Sequence, residues 1–517
     1  MQVTKRPQRF IASHLLSIYP SAAARAAACD RFATALHRTL LPNVSLLAYG
    51  ASNPQSRSPS DRHVVVFEAD PQDVSAIRPN LSVDTVIEPV LPRTPAVASP
   101  ANIMSAPGTA PPAAKLGTGT TLALTVLGAG NQPVSSAKVT VTYSNLHQPD
   151  TYVPALAVTN DAGRVEWSYD PAEWLAQVAL VEPASAYWTA VQMMPQTGQT
   201  MQLLLLPKTG PIGWWHKLSN VSAFDLAAGK GIKVGVIDTG IGPHPYLDHA
   251  VPIGAFLNGN FYPGADQGRD ARNHGTHVSG IIGARPPAEG SAFGGIAPGA
   301  DLLMARVFAT DYDGNQGDVA NAIDALSGQH AVDVINLSLS GAQSAIEHDA
   351  VVLAFQKGTV CICSAGNGFG GAVQYPAAYP ESIAVSGLGL VDTAPAGTMP
   401  TSFVPTQIDR FGANGVYLAS FSNLGSEILC SAPGNGIIST VPATLQTPAP
   451  YVEMSGTSMS APLTAGALTC ILSRDADYLR LPRSAARATR AKQLLAQHVM
   501  SVNLDPRYQG KGMSRAA

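Results

Sequence analysis

From Gly210 onward the apolar runs "IKVGVID", "DLLMARVF", "VDVINLSLS", "TVCICSAGN", "SIAVSGLG" and "EILCSAPG" alternate with helix-forming stretches such as "GDVANAIDALS" and "AIEHDAVVLAFQKG". A strand with one wet face alternates apolar and polar side chains, so a run that is apolar throughout has to be covered on both faces. The arrangement that covers it is an α/β fold, a mostly parallel sheet with helices on both faces. In open sheets of this kind the reacting groups gather beyond the carboxyl ends of the strands. Those turns are where chemistry is sought.

The chain ahead of Gly210 follows other periods. Residues 10–91 read as strand, helix, strand, strand, helix, strand, with Ala27, Phe32, Leu36 and Leu40 marking a helix over Ala22–Leu41. That order predicts an α+β, split βαβ unit of ferredoxin-like type over residues 1–91. Residues 92–115 are rich in Pro, Ala, Ser, Thr and Gly without period and are expected to form a semi-extended linker. Over residues 116–208, "TLALTVLG", "AKVTVTYS", "ALAVTN", "RVEWSYD" and "MQLLLLP" read as short strands punctuated by the turns "GNQPVS" and "NDAGR". They predict a small β-sandwich similar to carboxypeptidase-regulatory-like or transthyretin-like modules, with a spacer or interaction role. The remaining residues, 209–517, form the α/β unit.

Composition removes several classes of function. A net charge of −3 and a pI near 6.4 provide no basic field, so nucleic acid is not expected as a partner. Five cysteines spread over 517 residues form neither a disulfide framework nor a zinc-ligand spacing, and free thiols are expected. No apolar run reaches the roughly 18 residues of a membrane span. Lys5, Arg6 and Arg9 precede an apolar stretch, but His14, serines and Pro20 interrupt it, so no signal peptide is expected there.

Three Gly-rich turns carry titratable or nucleophilic groups. Asp238 ends the strand "VGVIDTGIG", His274 opens the helix "HGTHVSGIIG", and Ser458 in "EMSGTSMSAPLTAG" stands at a turn entering a helix. Taken alone, each has a plain structural reading: a strand-end acid, a buried histidine, a helix cap. His274 and His277 lie three apart, but no H-E-x-x-H pattern or nearby carboxylate completes a metal site. In the order Asp, His, Ser, each in its own turn, the three closely resemble the catalytic triad of the subtilisin-like serine proteases. The resemblance runs from Ile232 to Gly466 and includes "GIAPGADLLMARV", "INLSLSG", "SAGNG" and "YPAAYPESIAVSG". The Ser-Glu-Asp sedolisins share Gly-Thr-Ser before the nucleophile, but His274 in its His-Gly-Thr-His setting opposes them.

The resemblance implies a serine endopeptidase acting on polypeptides through an acyl-enzyme. His274 would be the base, Asp238 its orienting partner, and Asn367 in "SAGNG" the oxyanion donor; the plain reading of Asn367 is a turn residue before Gly368. It also implies that Ser338, Leu339, Ser340 and Gly341 pair with the substrate backbone, while Ser364, Ala365 and Gly366 wall the pocket for the residue before the scissile bond. Gln374 stands where many relatives keep a glycine, which predicts a small pocket that disfavours aromatic side chains. No cofactor is read from the residues; many relatives bind calcium, so the resemblance leaves calcium open, but no carboxylate-rich loop here identifies a site for it. The insertion Val391–Leu418 reads as a surface loop, with a lid or substrate rim as the sharper alternative.

By the same resemblance the first unit is an inhibitory pro-domain, a partner within the chain itself, and self-cleavage is expected within Val90–Lys115 or Pro207–Trp215. Relatives are commonly exported, whereas the N-terminal pattern points to the cytoplasm or to export without a signal peptide. Oligomeric state is not legible. A function of another class, a catalytically silent subtilase binding partners through its sandwich, is opposed by the intact Asp238, His274, Ser458 and Asn367. A run of Arg and Lys from Arg474 to Arg515 reads as a solvated helical face, or alternatively as a docking surface.

Overall fold

A computed structural model describes residues 8–16, 21, 23–25, 27–28, 45–49, 60–78, 81, 84–98, 116–148, 150–287, 290, 292–310 and 313–516. In the N-terminal unit, β1 (Gln8–Leu15), β2 (Ser45–Tyr49), β3 (Arg62–Ala69) and β4 (Val86–Pro89) form one antiparallel sheet in the order β2-β3-β1-β4. Helix α1 (Pro71–Ile77) follows β3, capped by the Asp70 carboxylate on the Gln72 N–H. Most of the expected helix Ala22–Leu41 lies outside the described residues. β5 (Pro92–Pro95) begins in what the composition reads as linker; it is a strand because two neighbouring segments of the α/β unit pair with it.

Seven strands follow: β6 (Thr120–Leu127), β7 (Lys138–Asn145), β8 (Tyr152–Val158), β9 (Arg164–Tyr169), β10 (Trp174–Glu182), β11 (Ala190–Met193) and β12 (Gln199–Gln202). They form sheets β11-β10-β7-β8 and β12-β6-β9, and inward residues of both, among them Leu124, Val141, Tyr143, Trp167 and Trp174, share one core. The strand list read from the sequence omits β10 and β11, although β10 joins β11 to β7.

The α/β unit opens with α2 (Trp214–Leu218). Its main sheet uses β13 (Lys233–Asp238), β14 (Val251–Leu257), β15 (Asn260–Pro263), β16 (Asp301–Arg306), β18 (Val334–Leu337), β20 (Val360–Ser364), β21 (Ile383–Leu390), β22 (Val416–Leu418), β23 (Ile428–Pro433), β26 (Val499–Met500) and β27 (Met513–Ser514). From β14 across β16, β13, β18, β20, β21 and β23 to β27 every neighbour is parallel; β15, β22 and β26 join antiparallel. Two-stranded β24 (Ile437–Thr440) and β25 (Tyr451–Met454) lie apart, and short β17 (Gly314–Asn315) and β19 (Leu339–Gly341) flank β5.

Burial on both faces is visible residue by residue. Val234 and Val236, Val334, Val360 and Ile362 enter the core shared with α3 (His274–Gly283), α6 (Thr457–Arg474) and α7 (Ala485–Gln497). Ile237, Ile335, Leu337, Cys361 and Cys363 enter the opposite core, shared with α4 (Gln316–Ser327) and α5 (Ala345–Gln356). Cys361, Cys363, Cys430 and Cys470 are free and buried. Burial pushes the Cys361 thiol up to about 12, so it behaves as a small apolar group.

Ile11, Val64 and Val66 of the N-terminal sheet belong to that second core, so this unit docks on α4 and α5. Buried Arg62 pairs with Asp324 at 2.9 Å and reaches Asp349 at 2.9 Å. The Glu88 carboxylate accepts from the N–H groups of Ala345 (3.1 Å) and Ile346 (3.2 Å), which puts a negative charge on the positive end of α5.

The insertion Val391–Leu418 lies at the surface, with Ile408 exposed, but it is tied down rather than free, and part of it shares a cluster with Ala98 of the segment in the cleft. Met399, Phe403 and Tyr417 bury against Leu180 of the sandwich, while Met399 N–H donates to Thr189 O at 2.8 Å and Val191 N–H to Gly397 O at 3.0 Å. Scattered aromatics in a polar run give no periodic signal, yet they fasten the sandwich to the sheet. The C-terminal cations are likewise mostly engaged: Arg487 pairs with Asp333 (2.9 Å), Arg490 with Asp475 (2.6 Å), and Lys492 Nζ donates to Pro380 O at 2.8 Å.

His216 in α2 provides a pH test of the packing. Gly213 N–H donates to its Nδ1 and its Nε2 faces Gly294 O, each at 3.0 Å, a pattern met by the neutral ring protonated on Nε2. Burial lowers its pKa from 6.5 to about 4, against a smaller opposing pull from the Gly294 bond. Unfolding therefore takes up a proton between those pH values, and the stabilisation, complete above pH 6.5, is lost as pH falls through about 4. The stability advantage over His216→Gln should shrink by up to about 1.4 kcal/mol per pH unit across that window in denaturant titrations. Both forms would carry Ser458→Ala to prevent self-digestion. An advantage constant with pH would refute it.

Candidate active site

Three elements deliver the three groups. Asp238 is the last residue of β13, His274 the first of α3 and Ser458 the second of α6, and all are buried. His274 Nδ1 lies 2.6 Å from Asp238 Oδ1, which also accepts the Thr239 N–H at 2.7 Å; the carboxylate thus holds the imidazole proton on Nδ1. His274 Nε2 is left without a hydrogen-bond partner among the described residues, available as a base. Asp270 fixes the turn between them, bonding the Thr239 hydroxyl (2.8 Å) and the Thr276 N–H (2.8 Å). Burial raises the Asp270 pKa while these bonds oppose the shift. His277 faces away, its Nε2 on Ile437 O at 3.2 Å, and burial lowers its pKa to about 3. Among the described residues no group of three or more His, Cys, Asp or Glu side chains is placed to hold a metal ion.

Pro462 explains how Ser458 is held. Lacking an N–H, it leaves the Ser458 carbonyl without its partner four residues on, and Ser338 Oγ donates there instead at 2.8 Å. Ser458 Oγ in turn donates to Ser338 O at 2.9 Å. Rotation of that hydroxyl about its Cα–Cβ bond is what the approach to His274 requires.

The cleft is filled by the chain itself. β5 runs antiparallel between β19 and β17, with Pro95 opposite Leu339, Thr94 opposite Ser340, and Arg93 opposite both Gly341 and Gly314. Ala96 N–H donates to Ser338 O at 3.2 Å, and Ala98 N–H to Ser455 O at 2.8 Å. The Ala96 carbonyl accepts from Asn367 Nδ2 and from the Ser458 N–H, the latter at 3.2 Å. Gly456, at φ 150°, makes room: a β-carbon there would collide with the Ala96 oxygen.

The expected wall is organised behind this strand. Ser364 Oγ donates to Leu339 O at 3.1 Å, so it braces the wall without touching the bound strand. Ala365 O accepts the Gln374 N–H at 3.0 Å, and Gly366 N–H donates to the Thr457 hydroxyl at 3.2 Å. Gln374 Oε1 lies so close over Gly366 that a β-carbon there would collide with it. Sequence reasoning did not find β17, the opposite wall: two residues offer no period to read. The resemblance implied a pro-domain tail in the cleft, but the prolines of Pro92–Pro95 read as linker and gave no sign of a strand there.

A carboxylate, an imidazole and a hydroxyl beside an amide-lined oxyanion position can carry out acyl transfer by a serine nucleophile. The family model described as Subtilase family matches residues 229–512, more than half of the chain. The chain belongs to the subtilase family. It is 34% identical over 249 residues to the minor extracellular protease Epr of Bacillus subtilis, covering 48% of this chain and 33% of Epr. It is 32% identical over 251 residues to Subtilisin Savinase of Lederbergia lenta, covering 79% of that protein. Against the thermophilic serine proteinase of Bacillus sp. strain AK1 it is 34% identical over 263 residues, 57% of that protein. The match thus spans about half of this chain and less than two thirds of Epr and of the AK1 proteinase. No helix among the described residues is long and apolar enough to cross a membrane.

Proposed function

We propose that this chain is the precursor of a serine endopeptidase that cuts itself between Ala96 and Val97. The observation that carries the reading is the Ala96 carbonyl held by Asn367 Nδ2 and the Ser458 N–H, with the flanking backbone paired on Ser338–Gly341. Ser458 Oγ attacks the Ala96 carbonyl carbon as His274 Nε2 takes its proton, and the oxyanion forms between the two donors. Collapse breaks the bond to Val97, whose nitrogen receives that proton, leaving Ala96 esterified to Ser458. Water, deprotonated by the same imidazole, then releases Ala96 as a carboxylate and regenerates the serine. Polypeptide substrates enter by the same strand addition, which uses backbone bonds and therefore tolerates many sequences.

In this reading residues 1–96 are the inhibitory pro-segment. The strand order β2-β3-β1-β4 and the docking on α4 and α5 through Arg62 and Glu88 support a ferredoxin-like pro-domain. The sandwich follows the cut and stays with the protease. The second candidate segment, Pro207–Trp215, is tied elsewhere, with Pro211 O on the Gly294 N–H at 3.0 Å. Secretion, which the name of the minor extracellular protease Epr gives for that relative, belongs to the same reading and is checked by fractionating the producing cells. N-terminal sequencing of the active protein should begin at Val97. A first residue after Pro207, or an active form with the mass of the uncut chain, overturns the assignment. The small pocket beside Gln374 and the Ala96 in it predict faster cleavage after Ala than after Phe in peptide panels; the reverse order would refute that specificity.

A further inference from the structure

We infer that Glu347 makes the pocket that receives the fourth residue before the scissile bond selective for arginine, so that preferred polypeptides carry Arg there. The inference rests on the endopeptidase reading, with Ala96 as the residue before the cut. Counting back from Ala96, Arg93 is the fourth residue, and its guanidinium is completely buried. Nε donates to Glu347 Oε1 and Nη2 to Oε2, each at 2.8 Å, a two-pronged bond that a planar guanidinium makes and an ammonium does not. The Glu347 carboxylate is also fully buried and lies in the first turn of α5; the Tyr379 hydroxyl, 3.4 Å from Oε2, donates its proton to Ser344 O at 2.7 Å. Gly341 opens the slot, since a β-carbon there would strike Arg93 Nη1 and the Pro92 carbonyl.

When residues 1–96 leave, nothing of the departing segment remains to pair Glu347. An apolar side chain in the slot strips water from the carboxylate and gives no counter-charge, which is costly; an arginine restores both bonds. Neutral citrulline, with nearly the shape of arginine, can donate one or two bonds but no charge. Lysine brings charge without the fork. The order of preference is therefore Arg, then Lys, then citrulline and Leu, with Glu last.

The test uses full-length protein allowed to process, with active sites counted by a fluorophosphonate, and chromogenic peptides Xaa-Thr-Pro-Ala in which Xaa is Arg, Lys, citrulline, Leu or Glu. Arg should exceed citrulline and Leu in kcat/KM by about 30-fold or more, the lower end of what an unpaired buried charge costs. Glu347→Gln should bring the Arg-to-citrulline ratio close to 1. Equal rates for Arg, citrulline and Leu in a labelled, active preparation overturn the inference and leave the endopeptidase reading standing. A preparation that neither labels nor hydrolyses any peptide overturns that reading, and the inference with it. Should Glu347→Gln fail to fold, the wild-type panel decides alone.

Discussion

Full-length protein carrying Ser458→Ala should keep its intact mass and take up no fluorophosphonate, while the wild-type chain loses residues 1–96. The Ser458 N–H holds the Ala96 carbonyl, which sets that residue's hydroxyl beside the bond to be cut once it rotates away from Ser338 O, and the proposed mechanism uses no other nucleophile. In the relative subtilisin, losing this group costs about 10⁶-fold in kcat, and a loss of that order stretches any self-cleavage beyond the length of a preparation. The fold should be spared, because the hydroxyl's bond goes to Ser338 O, a carbonyl at the cleft surface of the wall, and the helix is held independently through Ser338 Oγ on Ser458 O. Intact-mass spectrometry and circular dichroism separate the two effects. An uncut variant with native ellipticity supports the assignment; a variant cut at Val97 shows that another protease performs the maturation. A wild-type chain freed of residues 1–96 that still takes no label favours the alternative of a silent subtilase used for binding.

The parts of this arrangement that were legible in the sequence are those with a long period or a fixed type of residue. Runs such as "IKVGVID" and "VDVINLSLS" reported a sheet covered on both faces because Val234 and Ile237, or Val334 and Ile335, feed different cores. Asp238, His274 and Ser458 stood out because their order and Gly-rich turns resemble the subtilase triad, and Asn367 was implied by that resemblance, its own turn reading being equally good. The rest depended on long-range pairing. Pro92–Pro95 has no strand propensity of its own, and its extended form comes from partners more than 200 residues away, Gly314–Asn315 and Leu339–Gly341. Glu347 went unmarked within the helix-forming stretch "AIEHDAVVLAFQKG", and its meaning depends on Arg93 being brought across from another unit. The anchoring of Val391–Leu418 to the sandwich left no signal because its apolar contacts, Met399, Phe403 and Tyr417, are spaced by neither period.

Replacing Asn367 by alanine should lower kcat by 10²- to 10³-fold, the 2.7–4 kcal/mol known for removal of such a donor in subtilisin and approximately what is expected here. The expectation follows from how the amide is aimed. Its Oδ1 accepts from the Thr457 N–H at 3.0 Å and the Thr457 hydroxyl at 2.9 Å, which leaves Nδ2 facing the Ala96 oxygen. The donor is thus oriented before charge develops, and it acts most strongly on the oxyanion, where a full negative charge replaces a carbonyl dipole. KM should move much less, because ground-state binding comes from the strand pairing on Ser338–Gly341 and Gly314–Asn315, which the substitution leaves in place. Maturation and peptide hydrolysis should slow by similar factors, since both pass through the same oxyanion, and slow maturation would be seen as a persistent mixture of full-length and processed chains. Thr457→Val removes one of the two bonds that aim the amide and should cost less than Asn367→Ala while shifting kcat in the same direction. If Asn367 were only a turn residue ahead of Gly368, its replacement would lower thermal stability and leave kcat per labelled active site within about threefold of wild type, and that outcome would remove it from the catalytic machinery.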